Sequence, residues 1–226
     1  MWKPRSWSRR TAARPMPLAP PVTSAIPGRD VGGVTGSADV DFATYLWLAA
    51  ATGARRSQML GLRWADIDIA HSAIGFSRAY VDGPTGPVLR ATKTHRTYRA
   101  SIDDAACRRL VDHHRRANQR AVAAGQVLTR DAYVFTNAAG GAVPWLPNRV
   151  TKMFIDHRRR AGIAHFRLHD LRHFMATQML AHGIAVPTVS ARLGHARAST
   201  TLNVYAHSVP GADREAADFI GGLLAR

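Results

Sequence analysis

The stretch His169-Asp170-Leu171-Arg172-His173-Phe174-Met175-Ala176-Thr177 decides how this chain is read. Residues three apart on a helix share a face, so His169 and Arg172 project together. An arginine set among Leu168, Leu171, Phe174 and Met175 is expected to be partly buried, and a buried cation needs an anionic partner. An internal ion pair with Asp170 or Asp66 would meet that need, and so would an anion bound at a site. His-x-x-Arg recurs at His113/Arg116 and His157/Arg160, inside the basic runs His113-His114-Arg115-Arg116 and His157-Arg158-Arg159-Arg160. Those two read as solvated helix faces.

Further groups lie on either side. Leu193-Gly194-His195 adds a second imidazole, and Tyr205, ten residues past that histidine, adds a phenol. Upstream, Thr52-Gly53-Ala54-Arg55 supplies another guanidinium and Thr92-Lys93-Thr94 an amine. A site that breaks and rejoins a DNA phosphodiester through a covalent phosphotyrosine needs this set of groups. A different class of reading takes segment 188–205 as a helix-turn-helix whose second helix enters a major groove. His195 is then a turn residue, Tyr205 a core or phosphate-contacting aromatic, and the chain a DNA-binding module without chemistry.

Charge favours a nucleic-acid partner under either reading. Lys and Arg number 31 against 15 Asp and Glu, a net +16, which points to a polyanion. With 46% apolar residues the 226-residue chain has the material for a real core. The single cysteine, Cys107, excludes an intrachain disulfide and a thiolate zinc site, and fits a reducing cytoplasm. No apolar run approaches the roughly 20 residues of a membrane span. Ser8-Arg9-Arg10-Thr11 is followed by Pro17, Pro20 and Pro21 where an export signal needs an unbroken apolar core. No membrane partner is expected, and no metal or small-molecule cofactor.

Residues 1–36, rich in Pro, Arg and Gly, read as a flexible basic tail or linker remnant, and 37–226 as the folded part. Ser37 or Asp39 can cap a first helix that stops at Gly53, and a short helix follows from Ser57 to Leu62. Ile67 to Val81 reads as short strands, and a third strand runs from Arg96 to Ile102, with Lys93 at the hairpin. A long helix from Asp103 or Asp104 to Gly125 is expected to bury Leu110, Val111, Ala117 and Val122. Tyr133-Val134-Phe135 reads as extended, and helices are expected over Asn148–Ala161, His169–His182, Pro187–Leu193 and Ser199–Ala206. His182 is placed to cap its helix. A last amphipathic segment, Ala212–Leu224, carries an apolar stripe of Phe219, Ile220, Leu223 and Leu224 that must be buried on its own domain or on a neighbouring subunit. The fold class is mainly α with a small three-stranded antiparallel β-sheet.

Four separated blocks resemble the tyrosine recombinases, the phage integrase family. Thr52-Gly53-Ala54-Arg55 with Met59-Leu60-Gly61-Leu62-Arg63-Trp64-Ala65-Asp66-Ile67-Asp68 is similar to its first conserved block, and the Lys93 hairpin to its lysine element. His169-Asp170-Leu171-Arg172-His173 with Ala176-Thr177 resembles the second block, and Leu193-Gly194-His195 through Ser199-Thr200-Thr201-Leu202 to Tyr205-Ala206-His207 the third. The resemblance implies a catalytic domain that cleaves and rejoins double-stranded DNA through a 3′-phosphotyrosyl link, in a tetramer that DNA assembles, in the bacterial cytoplasm at the nucleoid. It casts Tyr205 as nucleophile, Arg55 and Arg172 as clamps on the non-bridging phosphate oxygens, Lys93 as general acid, His169 as general base or orienting donor, and His195 as a donor to phosphate. The arginines take the place of the metal ions used elsewhere for phosphoryl transfer. There are two departures. Gln58 stands where the family usually has an acidic residue, and an amide accepts a hydrogen bond without balancing charge. Only the tail precedes the catalytic part, where family members normally carry a helical DNA-clamping domain.

Overall fold

The computed structural model describes residues 39–91, 97–205, 217–218, 220–222 and 224. The basic tail and Lys93 lie outside the described residues.

Helix α1 (Val40–Thr52) is the central element. The Asp39 carboxylate caps it by accepting from the Asp41 amide, and Gly53 ends it in the left-handed region at φ 64°. Phe42, Tyr45, Leu46 and Leu48 are all buried, so the helix is enclosed on most sides. Tyr45 meets Phe135 edge-on at 5.1 Å, and Phe42 stacks on His157 at 5.1 Å. Helix α2 (Arg56–Leu60) follows directly, and its last turn leads to a 3-10 turn over Trp64–Asp66.

The antiparallel sheet has the order β1-β2-β5, from Ile67–Asp68, Ala73–Phe76 and Tyr98–Ser101. Ile74 opposes Ala100, and both are buried in the core. Among the described residues, strands β3 (Arg78–Val81) and β4 (Val88–Ala91) pair with each other, as a separate ribbon closed at Asp82–Pro87. The hairpin expected at Lys93 lies outside the described residues; of the strands before and after it, β4 pairs with β3 and β5 with β2.

Helix α3 (Asp104–Ala123) starts from Asp103, whose side chain accepts from the Ala106 amide. Its buried face is Ala106, Leu110, His113, Ala117 and Ala121, while Val111 and Val122, expected inside, are exposed. Spacings of four, three, four and four keep those five on one stripe, and each valine falls one position off it. The reading of the two basic runs as solvated faces is also corrected at the histidines. His113 is buried with Nδ1 3.0 Å from Asp41 and Nε2 2.8 Å from the Val134 carbonyl, and His157 is buried against Phe42. Arg116 and Arg120 complete the pairing of buried Asp41. Burial alone would raise this carboxyl, but the hydrogen bonds and charges of His113, Arg116 and Arg120 hold it at about 2.

Four more helices follow: α4 (Pro147–Arg160), α5 (Asp170–Ala181), α6 (Val186–Arg192) and α7 (Ala198–Tyr205). Helix α5 joins two apolar clusters. Leu171 belongs to the main core, and Met175, Ala176 and Leu180 pack with Val189 and Leu193 of the C-terminal part. His182 caps α5 through the Gln178 carbonyl, 2.7 Å from Nδ1. In the last segment the described residues are helical, and Ile220 and Leu224 are exposed among the described residues. Phe219 and Leu223 of that stripe lie outside the described side chains. No helix among the described residues is long and apolar enough to cross a membrane.

Candidate active site

Arg172 sits where α5 passes between the two clusters, and it is 4% exposed. The carboxylates considered for it are engaged elsewhere. Asp170 accepts from the Arg167 amide and guanidinium, and Asp66 from the Arg63 amide and from Arg78. Arg172 Nη1 donates to the Gly53 carbonyl at 2.6 Å, and Nη2 to the Leu193 carbonyl at 2.7 Å and to His195 Nε2 at 2.8 Å. One guanidinium thus ties the end of α1 to the end of α6, bringing three motifs together that are far apart in sequence.

The hydrogen bonds fix the form of His195. A guanidinium can only donate, so Nε2 accepts and the proton resides on Nδ1. Nδ1 then donates to Thr201 Oγ1 at 2.8 Å, and Thr201 is fully buried. Burial, then the charges of Arg172 and Arg55, hold the imidazole down at about 4, so it is neutral at pH 7. Gly194 reaches this geometry at φ 62°, with its α-carbon against the ring of Tyr98. Arg192, one turn earlier, donates to the carbonyls of Ala51 and Ser101 and so fastens α6 to α1 and β5.

Arg55 precedes α2 and is exposed. With Arg56, Arg167, His169 and Arg172 it lines a cleft of 480 Å³. The Arg55 amide donates to the side-chain oxygen of buried Gln58 at 3.0 Å. Arg56 donates to Thr151 at 2.7 Å and pairs with Asp82, joining α2 to α4 and the β3–β4 turn. His169 stands at the start of α5, edge-on to His173 at 4.8 Å. Partial loss of hydration, then the charges of His173, Arg172 and Arg55, lower its pKa and favour the neutral ring, the form that accepts a proton.

Of the six residues singled out from sequence, Arg55, His169, Arg172 and His195 are gathered here. Tyr205 is the last residue of α7, one helical turn beyond Thr201, and its side chain, like Lys93, lies outside the described residues. Two residues had no role assigned from sequence. Thr201 stood within a quoted motif, but its contact with His195 depends on a turn whose path only the fold sets. Tyr98 carried no signal, since a tyrosine in a short strand reads as core.

A guanidinium cleft backed by a neutral histidine, on a helical fold with this small sheet, suits the binding of a phosphodiester. This chain belongs to the phage integrase family, whose family model matches residues 34–211. It is 29% identical over 190 residues to the tyrosine recombinase XerC-like protein of Caldanaerobacter subterraneus subsp. tengcongensis, covering 78% of this chain and 48% of that protein. It is 28% identical over 186 residues to the ICEBs1 integrase of Bacillus subtilis, covering 81% and 49%. The chain thus spans about half the length of the curated relatives it matches. Its fold matches that of XerA recombinase with a TM-score of 0.63 at 22% identity, over 84% of this chain and 62% of that one.

Proposed function

We propose that this chain is the strand-transfer part of a DNA recombinase, cleaving and rejoining DNA through a 3′-phosphotyrosyl link to Tyr205. The observation that carries the reading is the lattice Gly53–Arg172–His195–Thr201, which joins all three motif blocks beside a cleft edged by Arg55. A phenol with an ordinary pKa near 10 attacks a phosphodiester slowly unless the transition-state charge is neutralised. Arg55 and Arg172 supply that charge as forked donors to the non-bridging oxygens. His169, held neutral, takes the phenolic proton, and Lys93 delivers one to the departing 5′ oxygen. His195 can donate to phosphate from Nε2 only after Arg172 has turned from it to the phosphate and Nε2 has gained a proton. The link keeps the energy of the broken bond, so a DNA hydroxyl reverses it without ATP.

The working assembly is a set of subunits gathered on DNA in the cytoplasm. The 1–36 segment serves as a basic tail that touches phosphates. Covalent trapping on a nicked suicide substrate tests the reading: the chain is retained on DNA in a denaturing gel, and Tyr205→Phe abolishes that species while leaving DNA binding nearly intact. Tyr205→Phe protein still trapped would remove the nucleophile assignment. A wild-type chain that binds DNA and is never trapped would leave the binding module of segment 188–205.

A further inference from the structure

The Tyr98 phenol sits among the groups of the site, although nothing in the strand-transfer chemistry calls for it. It projects from β5 and stacks on Phe76 at 5.0 Å with the planes 23° apart. Its hydroxyl donates to Gln58 Oε1 at 3.2 Å, the same oxygen that accepts the Arg55 amide at 3.0 Å. Arg172 and Arg55 both place positive charge near this phenol. The other contact is with the third motif block: a β-carbon on Gly194 would stand 2.6 Å from Tyr98 Cδ1 and Cε1. One side chain therefore touches Gln58 of α2, the surroundings of Arg172 and the turn that presents His195.

Gln58 makes this arrangement informative. A carboxylate at that position would be anchored by charge to the surrounding guanidinium groups. An amide has no such anchor, and only its hydrogen bonds hold its oxygen toward the Arg55 turn. The Arg55 amide, which can only donate, selects the oxygen, and Tyr98 adds a second donor to it. With the phenol absent, Gln58 Oε1 keeps one of these two donors and its hold on the Arg55 turn loosens.

We propose that Tyr98 is a positioning residue of the strand-transfer site, orienting the Gln58 amide that holds the Arg55 turn and seating Gly194 beside Arg172. The inference rests on the strand-transfer reading for its kinetic consequence, but not for its structural one. Tyr98→Phe keeps the ring on Phe76 and Gly194 and removes the hydroxyl, with its bonds to Gln58 and to Arg172.

The test combines cleavage kinetics with hydrogen exchange and thermal melting. In single-turnover cleavage of the suicide substrate, Tyr98→Phe lowers the saturating rate roughly tenfold, about what one hydrogen bond is worth, and leaves the half-saturating DNA concentration unchanged. In a double-variant cycle with Gln58→Met, the combined loss is smaller than the sum of the two, because both remove the Tyr98–Gln58 bond. In the free protein, hydrogen exchange at the Arg55 amide quickens in Tyr98→Phe while the melting temperature holds. Phe76→Leu, a core change beside the same ring, serves as control and lowers the melting temperature without that local effect. Additive losses, or an unchanged rate and unchanged Arg55 exchange, would overturn the inference. If the wild-type chain forms no covalent species, the strand-transfer reading falls, and Arg55 exchange alone still decides whether Tyr98 holds this turn.

Discussion

The Arg172–His195–Thr201 chain contains the most specific chemistry of the site. A lysine in place of Arg172 could not donate to two carbonyls and an imidazole in one plane, so the residue type follows from the bonds. Thr201 acts at one remove: it accepts a hydrogen bond from His195 Nδ1 and belongs to the helix that ends at Tyr205. Thr201→Val preserves shape and removes the acceptor, leaving a buried N–H unsatisfied, at a cost of about 1–3 kcal/mol. We expect cleavage to fall at least tenfold with DNA affinity retained, and Thr201→Ser to restore most of it. Nitrogen NMR of the free wild-type protein should show His195 neutral at pH 7 with its proton on Nδ1. Equal cleavage by the Val and Ser variants would show that this hydrogen bond is without consequence.

Among the elements, the turn between α1 and α2 is restrained at several points. Thr52 is tied to the Leu48 carbonyl and accepts from the Ala54 amide, Gly53 adopts φ 64°, and the Gly53 carbonyl receives Arg172. A β-carbon on Gly53 would collide with Met175 Cε and stand 3.1 Å from Leu193 Cδ2. Gly53→Ala therefore combines left-handed strain with a steric conflict at the second apolar cluster, costing about 2–4 kcal/mol. Thermal melting should show the loss, and cleavage should fall further than stability explains because the carbonyl that holds Arg172 moves. An unaltered melting temperature would mean that α5 yields at Met175 more readily than its burial suggests.

For the whole molecule, two electrostatic properties can be measured. Asp41 titrates near 2 in the fold and near 3.8 when unfolded, so it stabilises the protein fully above pH 3.8 and loses that contribution as pH falls toward 2. The difference is on the order of 2 kcal/mol, and acid titration of Asp41→Asn should show a flatter decline over that window. The second property is the net +16, to which the described arginines on the outer faces of α3 and α4 contribute. Binding of this chain to duplex DNA should be weak, barely sequence-selective, and should collapse as salt rises from about 50 to about 200 mM, since the affinity comes from phosphate contacts that release counterions. Tight, salt-resistant binding to one defined site would contradict this.

Patterns that repeat along the backbone were legible without the fold. The caps at Asp39 and Asp103, the stop at Gly53 and the helices from α4 to α7 came from spacing and end signals, which act within a few residues. The buried arginine of the second block was legible too, because its apolar neighbours are adjacent in sequence. Burial within the basic runs was not, since His113 and His157 become core residues only when Asp41 and Phe42, far away along the chain, close over them. Nor could the pairing of β5 with β2 rather than β4 be read from propensity, which marks a strand without naming its partner. The partner of Arg172 was likewise decided by tertiary structure: main-chain carbonyls have no signature in sequence, and the ends of α1 and α6 offer two of them only after the helices have packed. Local chemistry determined which residues could serve the site, and long-range packing decided what each of them touches.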